Sequence, residues 1–258
     1  MVVGSLFGKY KKYSITKLGD KNMDLNGKIA IVTGASSGIG ADFARRLVQK
    51  GVTVYGIARR EEKLNEMKSS LGDQFIGVPM DITDESAVRD WTKKTFTSTL
   101  PDILINNAGI GFFGNIDDLP SDQWHKMVNL NLNAVFYVTS AVVPLLKKNE
   151  HVCHMVNIAS IAGRMGNPKL SGYNATKYAL GGFSDALMKE LRDDGIKVTC
   201  MYPGSIATEF NDHAGGTNHP NMMESNDVAT VLINILEMPD NFLIDEIVMR
   251  PLFPKKKS

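Results

Sequence analysis

Tyr173-Asn174-Ala175-Thr176-Lys177 spaces a phenol and an ammonium four residues apart, which on a helix puts them on one face. A phenol so placed can give a proton to a carbonyl oxygen or take one from an alcohol. Its ordinary pKa is near 10, and bringing it ~3 pH units down needs about 4 kcal/mol of preference for phenolate. The Lys177 charge is one source of that preference. The spacing alone is weak, because Tyr13-Ser14-Ile15-Thr16-Lys17 repeats it ahead of the first strand, with no sheet to stand on. Ser160 gives the later copy its weight. It lies thirteen residues before Tyr173, at the carboxyl end of the apolar run 155–159. Open α/β sheets bind ligands outside the carboxyl ends of their strands, so a hydroxyl there points into a site.

A second constellation is Thr33-Gly34-Ala35-Ser36-Ser37-Gly38-Ile39-Gly40, between the first strand and a helix. Glycines let the backbone turn sharply and come close to a pyrophosphate, and the helix N-terminus offers it free N–H groups. Ser36 and Ser37 add hydroxyl donors. A lone glycine cluster reads equally well as a turn, but strand before and helix after is the context a dinucleotide site demands. The second strand ends at Ala58, where an acid would bind the ribose 2′-hydroxyl of NAD and repel a 2′-phosphate. Arg59 and Arg60 follow instead. One charge-assisted hydrogen bond is worth ~1.5–3 kcal/mol, roughly 10–150-fold in affinity. NADP(H) is therefore the expected cofactor, with NAD the alternative if both arginines are merely solvated. Glu61 and Glu62 suit a helix start, where negative charge meets the dipole.

The elements that must position these groups alternate in kind. Short apolar runs at 28–33, 53–58, 75–80, 103–106, 155–159, 197–202 and 242–249 predict strands. Amphipathic stretches at 39–50, 60–71, 85–98, 121–147, 172–193 and 226–238 predict helices. Strands apolar on both sides belong to a parallel sheet covered on both faces. The expected architecture is α/β: a single Rossmann-like, doubly wound domain over 26–258, with a seven-stranded parallel sheet. Residues 1–25 stand apart as a basic segment without apolar period, read as a flexible or vector-derived tail in preference to a targeting segment.

Composition excludes other classes. Lys+Arg 29 against Asp+Glu 28 leaves no global field for nucleic acid or anionic lipid. No uninterrupted apolar stretch approaches the ~18 residues of a membrane span, so a cytoplasmic address is expected. Cys153 and Cys200 sit in apolar runs and read as buried free thiols. His125, His151, His154, His213 and His219 lack metal-ligand spacing, and no metal is expected. Ser160, flanked by Ala159 and Ile161, is no nucleophile elbow.

In motif, order and spacing the chain resembles the short-chain dehydrogenase/reductase family, the variety marked by T-G-x-x-x-G-x-G and Y-x-x-x-K, across residues 26–251. The resemblance implies hydride exchange between NADP(H) and a ketone or secondary alcohol. It implies that Ser160 hydrogen-bonds the substrate oxygen and that Tyr173 is the acid or base. Lys177 would orient the nicotinamide ribose and, with the oxidised nicotinamide, lower the tyrosine pKa. Asn131 would hold a proton-relay water; the alternative is an Asn facing solvent, with Asn129 and Asn133 competing for the register. Asp81, with Ile82 beside it, matches the adenine contact. Asn107, Ala108 and Gly109 match the N-N-A-G that ends the fourth strand, and Pro203-Gly204, with Ile206 and Thr208 beyond, the segment meeting the carboxamide. The Arg59 position matches NADP-preferring members.

Gly111, Phe112, Phe113, Ala162, Met165, Leu170, Ser205 and Ile206 are candidate pocket residues. Met222 and Met223 either join them or only pack a lid, and the segment 211–226 reads as a mobile substrate loop. The substrate is a small carbonyl or alcohol compound, with 3-oxoacyl or 3-hydroxy acid types implied by resemblance and Arg164 the one carboxylate clamp. An NAD-linked dehydrogenase and a cofactor-sensing regulator stay open as alternatives. The family pairs the equivalents of 121–147 and 172–193 in homodimers or homotetramers, to which Trp124, Phe136, Tyr137, Tyr178 and Phe183 are suited. The terminal Lys255-Lys256-Lys257 reads as a solvated basic tail.

Overall fold

In the computed structural model the described residues are 23–208, 210 and 220–253. The Tyr13/Lys17 pair, the middle of the 211–226 segment and the lysine tail lie outside them. Seven strands form one parallel sheet: β1 (Ile29–Thr33), β2 (Thr53–Ala58), β3 (Phe75–Pro79), β4 (Ile103–Asn106), β5 (Cys153–Ile158), β6 (Ile196–Pro203) and β9 (Glu246–Met249). Their spatial order is β3-β2-β1-β4-β5-β6-β9. Order therefore reverses between β1 and β4, which opens a crevice at the carboxyl ends of both strands.

Helices cover both faces because the central strands are buried on both sides. Helices α1 (Gly38–Gln49), α2 (Glu61–Leu71) and α7 (Ser225–Leu236) close one core through Phe43, Leu47, Leu64 and Leu232. Helices α3 (Glu85–Thr95), α5 (Ala134–Leu146) and α6 (Ser171–Leu191) close the other. The spacing of four between Ala134, Val138, Val142 and Leu146 is the buried stripe of α5. Each such aliphatic side chain contributes about 1.5–3 kcal/mol by leaving water.

Three features depart from the periodicity. The run 242–249 pairs with β6 only from Glu246, because residues 239–242 close a turn through Phe242 N–H to the Pro239 carbonyl. A two-stranded parallel ribbon, β7 (Ile206–Ala207) with β8 (Met223–Glu224), brackets the 211–226 segment. The helix expected at 121–147 is α4 (Ser121–Val128) joined to α5 by a π-turn at Asn129–Asn133. The 26-residue run Ser121–Leu146 is long and apolar enough to cross a membrane by length and composition alone. Here its inner stripe packs on the sheet. At the start of the described chain, Met23 and Leu25 are buried in the first core, ahead of the boundary expected at 26.

Candidate active site

The glycine loop is built from close packing. Gly34 has φ 70, and a Cβ there would lie 2.9 Å from the Ala108 Cα. Asn107 secures this approach: its side-chain amide donates to the Thr33 carbonyl at 2.9 Å, and its backbone N–H to the Thr33 hydroxyl at 3.0 Å. Thr33 also accepts from the Ala108 N–H at 3.1 Å, a role its place in an apolar strand did not announce. Ser37 is the N-cap of α1 yet makes no capping bond, and the first turn holds no acid. Its hydroxyl, with that of Ser36, accepts from Arg60 Nη2 at 2.6 and 3.1 Å. Helix N–H groups, a cradle only glycine fits and a guanidinium on two serines suit the phosphates of a dinucleotide.

Of the two arginines, Arg60 reaches the serines, while Arg59 is exposed at the end of β2. A cavity of about 320 Å³, lined by Ser36, Ser37, Arg45 and Lys63 among others, opens beside them. Ile82 is buried, and exposed Asp81 accepts from the Thr83 N–H and hydroxyl at 3.0 and 2.8 Å. Thr208 stands against the glycine loop, 3.4 Å from where a Gly38 Cβ would be. Gly204 continues the sheet edge by donating to the Met249 carbonyl, and Ser205 takes a left-handed φ of 55 as the chain leaves for β7. Ile206 is buried beneath.

Ser160, Tyr173, Lys177 and Asn131 converge. Ser160 caps the short turn Ile161–Gly163 by accepting from the Ala162 N–H at 3.1 Å, and its hydroxyl lies near enough to the Tyr173 phenol to favour the ionised form. Lys177 is buried and donates to the Ile158 carbonyl at 2.8 Å. Asn131 is fully buried, unlike Asn129 and Asn133. Its side chain accepts from the Ile110 N–H at 2.8 Å and donates to the Ile110 carbonyl at 2.8 Å and to Thr176 at 3.1 Å. Asn133 instead bonds Asn129 on the outside. Gly109 separates the two head groups: its Cβ would stand 3.2 Å from Asn131 Oδ1 and 3.5 Å from Lys177 Nζ.

Burial pushes the Tyr173 phenol up to about 12, and the interaction with Ser160 offsets only part of this. Lys177 Nζ lies 5.8 Å from the ring centroid, over the face of the ring. Burial lowers Lys177 itself to about 8. Arg164 corrects one expectation. It turns away from the site, sits 4.2 Å over the Tyr202 ring and pairs with Glu246. There it lines a cavity of about 480 Å³ behind α6, remote from the phenol. Both cysteines are buried thiols outside any disulfide.

The apolar wall holds Phe112, Phe113 and Leu170 as expected, with Ala162 buried. Met165 is exposed, and Met223 belongs to the first core instead. Two residues were missed. Phe210 sits against the Tyr173 ring, with centroids 5.5 Å apart. Asn174 stitches the serine loop to α6 by donating to the Ala162 and Met165 carbonyls at 2.5 and 2.8 Å.

The sequence profile of the short chain dehydrogenases matches residues 28–218. The chain belongs to the short-chain dehydrogenase family. Within it, an uncharacterized oxidoreductase of Staphylococcus epidermidis is 32% identical over 228 residues, 87% of this chain and 97% of that protein. The closed form of a serine dehydrogenase complexed with NADP+ superposes with TM-score 0.83 at 28% identity, covering 89% of this chain and 97% of the other. A 3-ketoacyl-(acyl-carrier-protein) reductase from Brucella melitensis complexed with NADH gives TM-score 0.80 at 26% identity, covering 87% and 97%. Its membership makes this short-chain dehydrogenase an oxidoreductase with a Rossmann-like sheet, whose structural neighbours are complexed with nicotinamide cofactors.

Proposed function

We propose that this short-chain dehydrogenase is an NADP(H)-dependent reductase that interconverts a ketone and a secondary alcohol, with Tyr173 as proton donor. The observation that carries the reading is the convergence of Ser160, at the carboxyl end of β5, with Tyr173 and buried Lys177, which stand one helical turn apart on α6. Bound NADPH supplies the hydride. Ser160 orients the substrate oxygen toward the phenol, and Tyr173 delivers the proton that completes the alcohol. A phenol held neutral by burial is in the protonation state that donation requires. Lys177 holds the nicotinamide ribose, and Asn131 fixes the backbone at Ile110 beside it while anchoring a relay water.

Arg60, Ser36 and Ser37 receive the 2′-phosphate, with Arg59 at the rim. The glycines 34, 38 and 40 with Ile39 receive the pyrophosphate, Asp81 and Ile82 the adenine, and Asn107, Ala108 and Gly109 the ribose side. Pro203, Gly204, Ile206 and Thr208 take the carboxamide. Exposed rings on the helices, Trp124 on α4, Phe136 on α5 and Tyr178 on α6, support a homodimer or homotetramer, and the near-neutral charge supports a cytoplasmic enzyme. Tyr173→Phe tests the mechanism. Turnover of NADPH with a reducible ketone should fall by about 10²–10⁴-fold, the usual share of a general acid, while NADPH binding stays within about twofold. Unchanged turnover refutes it.

A further inference from the structure

We infer that the substrate is an uncharged ketone with an aromatic or branched apolar body, selected by Phe113 and Phe210; this rests on, and narrows, the carbonyl-reductase reading. The Tyr173 ring is flanked on two sides. Phe113 stands 6.0 Å away at 61°, and Phe210 stands 5.5 Å away at 47°. Ile110, Phe112, Leu119 and Leu170 pack around the buried Met127, Ala162 and Tyr173. Gly111 makes the room: a Cβ there would lie 2.7 Å from the tip of the Phe210 ring. Rings in tilted and edge-on contact attract, and a flat or branched apolar group entering between them meets the same faces.

Charge narrows the class further. A carboxylate or phosphate taken from water needs a cation or an equivalent set of donors. Among the described residues, the cations near the phenol are committed elsewhere. Lys177 is buried against the Ile158 carbonyl, Arg164 faces outward on Tyr202 and Glu246, and Arg60 holds the serines of the glycine loop. Lys169 is exposed, its charge screened by solvent. In sequence, residues 198–249 contain no lysine or arginine. His213 and His219 are the only residues of that stretch able to gain positive charge, and an ordinary imidazole is neutral at pH 8. At that pH the stretch offers an anionic substrate no cationic side chain to pair with.

The test uses matched ketones at pH 8 with the full-length protein and NADPH: methyl 4-acetylbenzoate against 4-acetylbenzoate, and methyl 4-oxopentanoate against 4-oxopentanoate. The ester should exceed the acid in kcat/KM by about tenfold or more in each pair. Phe210→Ala should cut the advantage of the aromatic over the aliphatic ester by about tenfold. An acid turned over as well as its ester overturns the inference, and so does an aromatic preference untouched in Phe210→Ala. Turnover of any member leaves the reductase reading standing in either case. If none is turned over, that reading fails, and the inference is decided by binding. With NADPH present, the neutral alcohol made from the aromatic ester must raise the melting temperature more than the corresponding carboxylate, and an equal or reversed order overturns it.

Discussion

Replacing Arg60 with alanine should convert a cofactor-selective cradle into an indifferent one. In the structure its guanidinium is already placed, with Nη2 on Ser37 at 2.6 Å and on Ser36 at 3.1 Å and Nε on Ser36 at 3.3 Å. A phosphate arriving there would form charge-assisted bonds with the guanidinium. Such a bond is worth about 1.5–3 kcal/mol, and the exposure of Arg60 argues for the lower end. About 1.5–2 kcal/mol corresponds to a 10–30-fold weaker Kd for NADPH. NADH, lacking the phosphate, should bind Arg60→Ala as it binds the wild type. Fluorescence titration of both cofactors against wild type, Arg60→Ala and Arg59→Ala gives the comparison. Because Arg59 is exposed and does not reach the serines in this structure, its removal should cost less. Raising salt from 0.1 to 1 M, which shortens screening from about 10 to 3 Å, should shrink the wild-type preference. An equal loss for NADPH and NADH in Arg60→Ala, or no loss at all, refutes the reasoning.

Other perturbations read other parts of the fold. With Lys177 lowered to about 8 by burial, its ammonium is lost as pH rises through 8, so kcat/KM for reduction should decline above that pH; a flat profile from 7 to 9.5 contradicts it. His154, buried beside Thr199 and depressed to about 3, stays neutral in the fold, whereas in the unfolded chain it takes a proton below 6.5. Stability is thus complete above 6.5 and is lost as pH falls, by about 1 kcal/mol between pH 7 and 5.5. Urea melts of His154→Gln should show that part of the slope removed. Gly34→Ala puts a Cβ 2.9 Å from the Ala108 Cα at φ 70, and should cost about 2 kcal/mol or more, read as a melting point ~5 °C lower.

Six of the seven main-sheet strands were legible within a residue or two, because residues buried on both faces leave unbroken apolar runs such as Ile29–Thr33 and Ile103–Asn106. The last was overextended. Its apolar Phe242 sits half-exposed in a turn, and hydropathy does not distinguish a strand from a turn with one apolar residue. The site was legible where chemistry is tied to local spacing, as for Tyr173 and Lys177. Arg60 could not be ranked above Arg59, because the choice depends on the angle at which α2 leaves β2 and returns a side chain to the serines. Phe210 was invisible for a similar reason. A lone aromatic in a polar segment gives no period, and only the loop beyond β7 brings it onto the phenol.

The π-turn at Asn129–Asn133 has a consequence for how this chain can change. Its wide turn amounts to one residue more than α-geometry would use, and one residue is about 100° of helix rotation. Before it, α4 lies so close to α6 that a Cβ on Gly172 would meet Met127 at 2.6 Å; after it, α5 presents Val138 and Val142 to the sheet. Both faces are satisfied only because the phase slips between them, and the slip also swings Asn131 onto Ile110. Deleting a single residue there would regularise the helix and yet force a choice between the two packings. Outer positions of this segment such as Asn129 are open to substitution, but length changes are not, so its residue count is held as firmly as any side chain in the site.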